Sequence, residues 1–204
     1  MRAANLQYLR CPSCHKSLEF RDVDASHGDR IEAGQLVCAP CQQRYPIVRG
    51  IPRFVPHENY ASSFGLQWSI HAKTQYDSYS GLNISQERFF KETRWPRRLA
   101  GETILEVGSG SGRFTEQAAA TGAFVVSMDY SFAVEANYQA NSPKENVLIV
   151  QADMFQMPFP RDFFDKLFCL GVLQHTPDPK KAFLTLPLML RAGGELVVDG
   201  ARAR

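Results

Sequence analysis

The stretch "ILEVGSGSGRF", residues 104–114, ends an apolar run in three glycines at every second position, Gly108, Gly110 and Gly112. An apolar strand that stops in such a turn before a helix-forming segment opens an α/β unit, and a turn without side chains lets a ligand approach the backbone. The spacing separates the ligand classes. A dinucleotide fingerprint needs G-x-G-x-x-G, and its third glycine would fall on Arg113. No Gly-Lys-Ser or Gly-Lys-Thr follows, so the turn is not a phosphate P-loop. Glu106, just ahead of the glycines, is a poor neighbour for a pyrophosphate and suits a ligand carrying positive charge.

From this turn towards the C-terminus, short apolar runs alternate with helical segments. Strands are expected at 103–107, 124–128, 147–150, 166–170 and 195–199, with helices starting near Arg113, Ser131 and Pro179. Such alternation predicts a doubly wound, Rossmann-like parallel sheet covered on both faces, with its ligand across the carboxyl ends of the strands. Asp129, just past the second strand, stands where an acid can take both hydroxyls of a ribose. In "QADMFQMPF" (151–159), Asp153 can accept from an exocyclic amine and Met154 can lie against a base.

Taken together, "ILEVGSGSGRFT", "VVSMDYS", "QADMFQMPF" and "FDKLFCLGVLQHTPDP" resemble the successive motifs of class I S-adenosylmethionine-dependent methyltransferases of type 11, over residues 103–200. The resemblance implies S-adenosylmethionine as cofactor. It implies contacts from Glu106, Gly108, Ser109, Gly110 and Gly112 to the methionine end. Asp129 with Tyr130 would hold the ribose, and Asp153 with Met154 the adenine, while Leu170 closes the fourth strand beside the cofactor. Methyl transfer from a sulfonium needs in-line placement of the acceptor, and a base only where the acceptor must lose a proton. His175 is the candidate base, with a loop-structuring role as the alternative. No Asn-Pro-Pro-Tyr or Asp-Pro-Pro-Tyr follows the fourth strand, which argues against exocyclic amines of adenine or glutamine as acceptors. The family has seven strands as a rule and five are expected here, so an incomplete domain with an exposed sheet edge is expected, completed by further chain or a partner.

On the other side of the glycine turn, four of the five cysteines fall within the first 41 residues, as Cys11-Pro-Ser-Cys14 and Cys38-Ala-Pro-Cys41. Two C-x2-C knuckles match a tetrahedral thiolate site for Zn2+, and a site with all four positions filled by protein is structural. Disulfides are the alternative, disfavoured in a reducing compartment. The run "YLRCPSCHKSLEF…GQLVCAPCQQRYPIVRGIP" resembles the zinc-ribbon activator subunits of tRNA and release-factor methyltransferases. That resemblance implies a docking or substrate-reading surface, or a stabilising cap. The expected domains are a zinc ribbon at 1–56, a connecting helical or lid segment at 57–100 and a cofactor-binding domain at 101–204.

In the connecting segment, Ser85 is expected to cap a helix beginning near Gln86, with Phe89, Phe90 and Trp95 on its covering face. "QWSIHAKTQYDSYSG" (67–81) suggests a lid carrying Gln75 or Tyr79, against simple packing. With 44% hydrophobic and 22% charged residues the chain can bury a core, and its net charge of +2 does not by itself demand a polyanion. "RWPRR" (94–98) is a local basic cluster, more commonly a solvated face than a nucleic-acid contact. No apolar run approaches a membrane span, and no signal peptide opens the chain, so a cytoplasmic location is expected. These features together predict a methyltransferase for a small-molecule, lipid-linked or glycan-precursor acceptor. RNA methylation and a non-catalytic scaffold binding zinc and cofactor are the alternatives, with a protein partner met through the ribbon or the sheet edge.

Overall fold

The computed structural model describes residues 1–56 and 76–199. The N-terminal part is an antiparallel meander, β1 (Glu19–His27), β2 (Arg30–Val37), β3 (Arg44–Val48) and β4 (Ile51–Pro52), paired in that order. The β3–β4 turn has positive φ at both central residues, Arg49 (52°) and Gly50 (75°), the geometry of a type I′ hairpin. A Cβ on Gly50 would stand 2.0 Å from the Tyr138 hydroxyl, so this turn is also pressed against the rest of the molecule.

Two helices follow, α1 (Asp77–Ser80) and α2 (Ile84–Thr93). The alternating remainder is β5 (Thr103–Val107), α3 (Arg113–Ala120), β6 (Phe124–Asp129), α4 (Val134–Asn141), β7 (Val147–Gln151), β8 (Phe164–Leu170), α5 (Pro179–Thr185) and β9 (Leu190–Asp199). The five strands are parallel in the order β7-β6-β5-β8-β9. All five expected strands are present, β9 beginning earlier than its apolar run because its first residues pair beyond the Gly193–Gly194 irregularity. The chain leaves β5 to both sides, which makes the β5–β8 boundary the switch point where a crevice opens.

Period-two alternation divides the core. Ile104, Val125, Ile149 and Phe168 join Phe89, Trp95, Phe114 and Val134 on the face covered by α2, α3 and α4. Phe89 is fully buried, edge-on to Trp95 and Phe168 at 6.0 and 5.3 Å between ring centroids, as expected of a covering helix. Leu105, Val126, Leu148, Val150 and Leu167 join the other cluster, together with Leu9, Leu36, Cys38 and Tyr45 of the meander. Tyr8 stacks on Phe124 with centroids 4.3 Å apart. The meander thus takes part in covering the second sheet face, a place that helices fill in doubly wound folds.

The cap of α2 departs from expectation. Its N-cap is Asn83, and Ser85 lies one residue inside the helix. The free amides of Ser85 and Gln86 are taken instead by Asp77 Oδ1 and Oδ2, at 2.9 and 2.7 Å. A carboxylate accepts two donors at once and favours the positive end of a helix, so it outcompetes a serine hydroxyl. Of the expected lid residues, Gln75 lies outside the described residues. Tyr79 is 68% exposed and stands away from the cavity described below.

Candidate cofactor-binding site

The glycine turn is stitched to the end of β6. Gly108 and Ser109 N–H groups donate to the Met128 carbonyl at 2.8 and 2.9 Å, and Gly110 N–H donates to Asp129 Oδ2 at 2.8 Å. Asp129 Oδ1 accepts from Ser131 N and Oγ at 2.8 and 2.7 Å. One carboxylate therefore fixes both the glycine turn and the turn after β6. These turns border a cavity of about 440 Å³ at the carboxyl ends of the strands.

Gly108, Ser109, Gly110, Asp129, Tyr130, Asp153, Met154, Leu170 and His175 all line this cavity. Asp153 uses Oδ1 to hold the Phe155 amide at 2.8 Å, and among the described residues Oδ2 receives no hydrogen bond. His175 sits in the 3-10 turn Leu173–His175 at the mouth, its Nε2 3.4 Å from Gln174 Nε2. Cys169, inside β8, is buried, and burial pushes its thiol up to about 12, consistent with a packed small hydrophobe.

Two expected contacts stand behind the cavity wall. Glu106 is 1% exposed and does not line the cavity; its Oε2 accepts from the Thr115 hydroxyl and, at 2.7 Å, from Ser127 Oγ. Burial pushes its carboxyl up to about 7, with the two hydroxyl donors opposing the shift. Gly112 (φ 98°) also stands off the cavity, and a Cβ there would meet Asn137 Oδ1 at 2.2 Å. Its place in the motif is explained by helix packing: α4 could not approach the turn if this residue had a side chain. Behind it, Tyr76 donates to the Ser111 carbonyl, while Asn141 donates to Gly112 O at 3.1 Å and Asn137 donates to Thr115 and Ser127 at 3.0 and 2.9 Å.

Among the cavity residues that sequence reasoning missed are two cations, Arg88 and Arg113. Their guanidinium carbons lie 5.5 and 4.5 Å from the Phe114 ring centroid. Arg88 pairs with Asp199 at 2.6 Å, whereas Arg113 has no ion pair among the described residues. Burial and the neighbouring Arg88 charge lower the Arg113 pKa. Arg113 follows the third glycine directly, a signal present in the sequence; Arg88 reaches the site only through the packing of α2.

In the meander, the four sulfurs of Cys11, Cys14, Cys38 and Cys41 lie within 4.8 Å of one another. Contacts of 3.4, 3.5 and 3.7 Å are too long for a disulfide bond. They approach the edge of roughly 3.8 Å that a tetrahedron with Zn–S bonds near 2.3 Å requires. The knuckles repeat one another. His15 and Gln42 follow their cysteine pairs with φ of 58° and 56°, and each donates its N–H to the first cysteine's carbonyl at 2.8 Å. Burial opposes ionisation of Cys11, but hydrogen bonds from Tyr45 and the Cys14 and Ser13 amides hold its thiol down at about 6.

Comparison with known proteins matches this geometry. Residues 105–198 match the family of methyltransferase domains and residues 6–50 that of Trm112p-like proteins. The parallel-sheet part is thus similar to methyltransferase domains, and the cysteine-bearing part to Trm112p-like proteins. A tRNA U34 carboxymethyltransferase of Alcanivorax borkumensis is 30% identical over 198 residues, covering 88% of this chain and 60% of that protein. A demethylmenaquinone methyltransferase of Clavibacter sepedonicus is 33% identical over 120 residues, covering 57% and 49%. Across such relatives the matched stretch spans 32% to 60% of their own length.

Two solved structures share the fold, each with a TM-score of 0.55. One is the complex between the Haloferax volcanii Trm112 methyltransferase activator and a methyltransferase, at 17% identity over 69% of this chain and 61% of that one. The other is phosphoethanolamine N-methyltransferase 1 of Haemonchus contortus with phosphoethanolamine and S-adenosylhomocysteine, at 20% identity over 70% and 32%. Among the described residues no helix is long and apolar enough to cross a membrane.

Proposed function

We propose that the protein binds S-adenosylmethionine in the 440 Å³ cavity and transfers its methyl group to a small acceptor, with a structural zinc ion held by Cys11, Cys14, Cys38 and Cys41. The observation that carries this reading is the convergence of Asp129, Asp153 and the glycine turn on one cavity. S-adenosylmethionine, when bound, supplies a methyl group activated on a sulfonium.

The residues suit its parts. Asp129 has one of about four acceptor positions left after its three turn contacts, for a ribose hydroxyl. Asp153 Oδ2 is free among the described residues to accept from an exocyclic amine, and Met154 offers an apolar wall to the base. Gly108 and Gly110 admit the amino-acid end, and Arg88 with Arg113 provides fixed positive charge for its carboxylate. His175, on the cavity lining, is the candidate to accept a proton from an acceptor that must lose one.

A small acceptor is favoured over RNA by the position of the arginines. Arg94, Arg97 and Arg98 precede β5, so they belong to the amino ends of the strands, away from the cavity, and Arg97 is stacked on Phe90 at 4.5 Å. RNA is the second reading because the tRNA U34 carboxymethyltransferase relative aligns with 88% of the chain. On either reading the expected location is the cytoplasm, and the domains run 1–56, 57–100 and 101–204.

Calorimetric titration tests both steps. S-adenosylmethionine and S-adenosylhomocysteine should bind one per chain, and Asp129→Ala should abolish binding while the protein stays folded. Absence of binding by the wild type would sink the enzyme reading. RNA binding whose affinity falls steeply with salt would transfer preference to the second reading.

A further inference from the structure

Gln151, the last residue of β7, touches two parts of the molecule at once. Its side chain is 2% exposed; Oε1 accepts from Arg53 Nη1 at 2.8 Å, and Nε2 donates to the Tyr130 carbonyl at 3.0 Å. Its backbone carbonyl accepts from Phe54 N at 2.8 Å, and Arg53 forms a parallel bridge with it. Arg53, just beyond β4, is 7% exposed and also pairs with Glu135. Tyr130 follows Asp129 and lines the cavity. A single buried amide therefore links the tail of the ribbon to the ribose-side wall.

The chemistry of this link is restrictive. The Gln151 amide accepts from a cation on one side and donates to a carbonyl on the other; a carboxylate satisfies the arginine and repels the carbonyl, and an apolar residue leaves both unsatisfied. Adhesion does not require it, because Leu9, Leu36 and Tyr45 already share an apolar core with Val126 and Leu148. Burying an arginine where apolar contact would hold the surfaces together adds no clear stability, so its effect is better sought in orientation.

We infer that Arg53, acting through Gln151, is a positioning residue for the turn Asp129–Ser131, so that the ribbon's tail sets the affinity of the cavity for the nucleoside half of its ligand. This rests on the cavity being the S-adenosylmethionine site. The relay runs from Arg53 to Gln151 to the Tyr130 carbonyl, and from there to the carboxylate of Asp129.

The test is calorimetry of the full chain with S-adenosylhomocysteine, with melting followed in parallel. Gln151→Glu keeps an acceptor for Arg53 and turns the donor facing Tyr130 into an acceptor. It should weaken binding at least about tenfold, a hydrogen bond's worth, while the melting midpoint stays within about 3 °C of wild type. Arg53→Met should weaken binding similarly, and Arg53→Lys should recover part of the loss. Arg49→Met removes the neighbouring 2.8 Å contact to Glu135 without touching Gln151 and should leave affinity unchanged. Wild-type affinity in Gln151→Glu and Arg53→Met overturns the inference. So does an affinity loss that only tracks a fall in melting, or a loss in Arg49→Met equal to that in Arg53→Met. Failure of the wild type itself to bind overturns the reading of the cavity, and the inference falls with it.

Discussion

Replacing Glu106 by Gln should change how stability depends on pH. The carboxyl is buried beneath the glycine turn, and its pKa is raised from 4.5 to about 7 in the folded chain, burial being the main cause. An acid whose folded pKa exceeds its unfolded one takes up a proton on folding in the window between the two. Its favourable contribution is therefore present at low pH and is lost as pH rises through about 7. At about 1.4 kcal/mol per pKa unit the full span is about 3.4 kcal/mol, and roughly 2.5 kcal/mol of it falls between pH 5 and pH 8. Glutamine occupies nearly the same volume and does not titrate. Urea denaturation of wild type and Glu106→Gln, without ligand, at intervals from pH 5 to 8 measures the difference in unfolding free energy. That difference should move in favour of the glutamine variant by about 2.5 kcal/mol as pH rises. Any constant offset from repacking the amide cancels in this slope. A difference that stays flat within about 0.5 kcal/mol would show that Glu106 is not held protonated near neutrality and would refute the reasoning.

Gly112→Ala should lose about 3 kcal/mol of stability by denaturant titration, from a strained left-handed backbone and overlap with Asn137; a loss under about 1 kcal/mol would mean that α4 can retreat from the turn. One zinc ion per chain is expected by metal analysis, and chelation should lower stability by at least about 3 kcal/mol, since the knuckles share their core with the sheet. Unchanged denaturation after the metal is gone would contradict this. Arg113→Met should weaken S-adenosylhomocysteine and leave 5′-methylthioadenosine, which lacks the amino acid, unaffected in the same titration. Equal loss for both would remove the carboxylate assignment.

What the sequence made legible was what local periodicity and spacing encode. The strands of the parallel sheet appear as apolar runs because both faces are covered, and the alternation of Ile104 with Leu105 or Val125 with Val126 divides residues between two cores. The cysteine knuckles were legible because ligand spacing is a local property. The surroundings of Glu106 and Gly112 were not. Their motif positions suggested ligand contact, yet one is enclosed by Thr115 and Ser127 and the other yields space to Asn137. These partners lie 9, 21 and 25 residues away along the chain. The partners of Asp77, Tyr76, Arg53 and Gln151 escaped notice for the same reason: each hydrogen-bonds a group 8 to 98 residues away, and nothing in the intervening chain announces the pairing. Arg88 was read only as part of a covering helix, because the cation over Phe114 becomes visible once α2 is docked.

The core shared between the meander and the parallel sheet bears on how the chain is made. Leu9, Cys11 and Leu36 pack in one cluster with Leu148, Phe159 and Leu167, so these residues find their final neighbours only after more than a hundred further residues have been synthesised. During that interval the metal knuckles can form from near neighbours, but their apolar back has nothing to rest upon. Zinc capture would hold the N-terminal segment in shape while it waits. The surface it docks on is complete only once β7 and β8 have both been made.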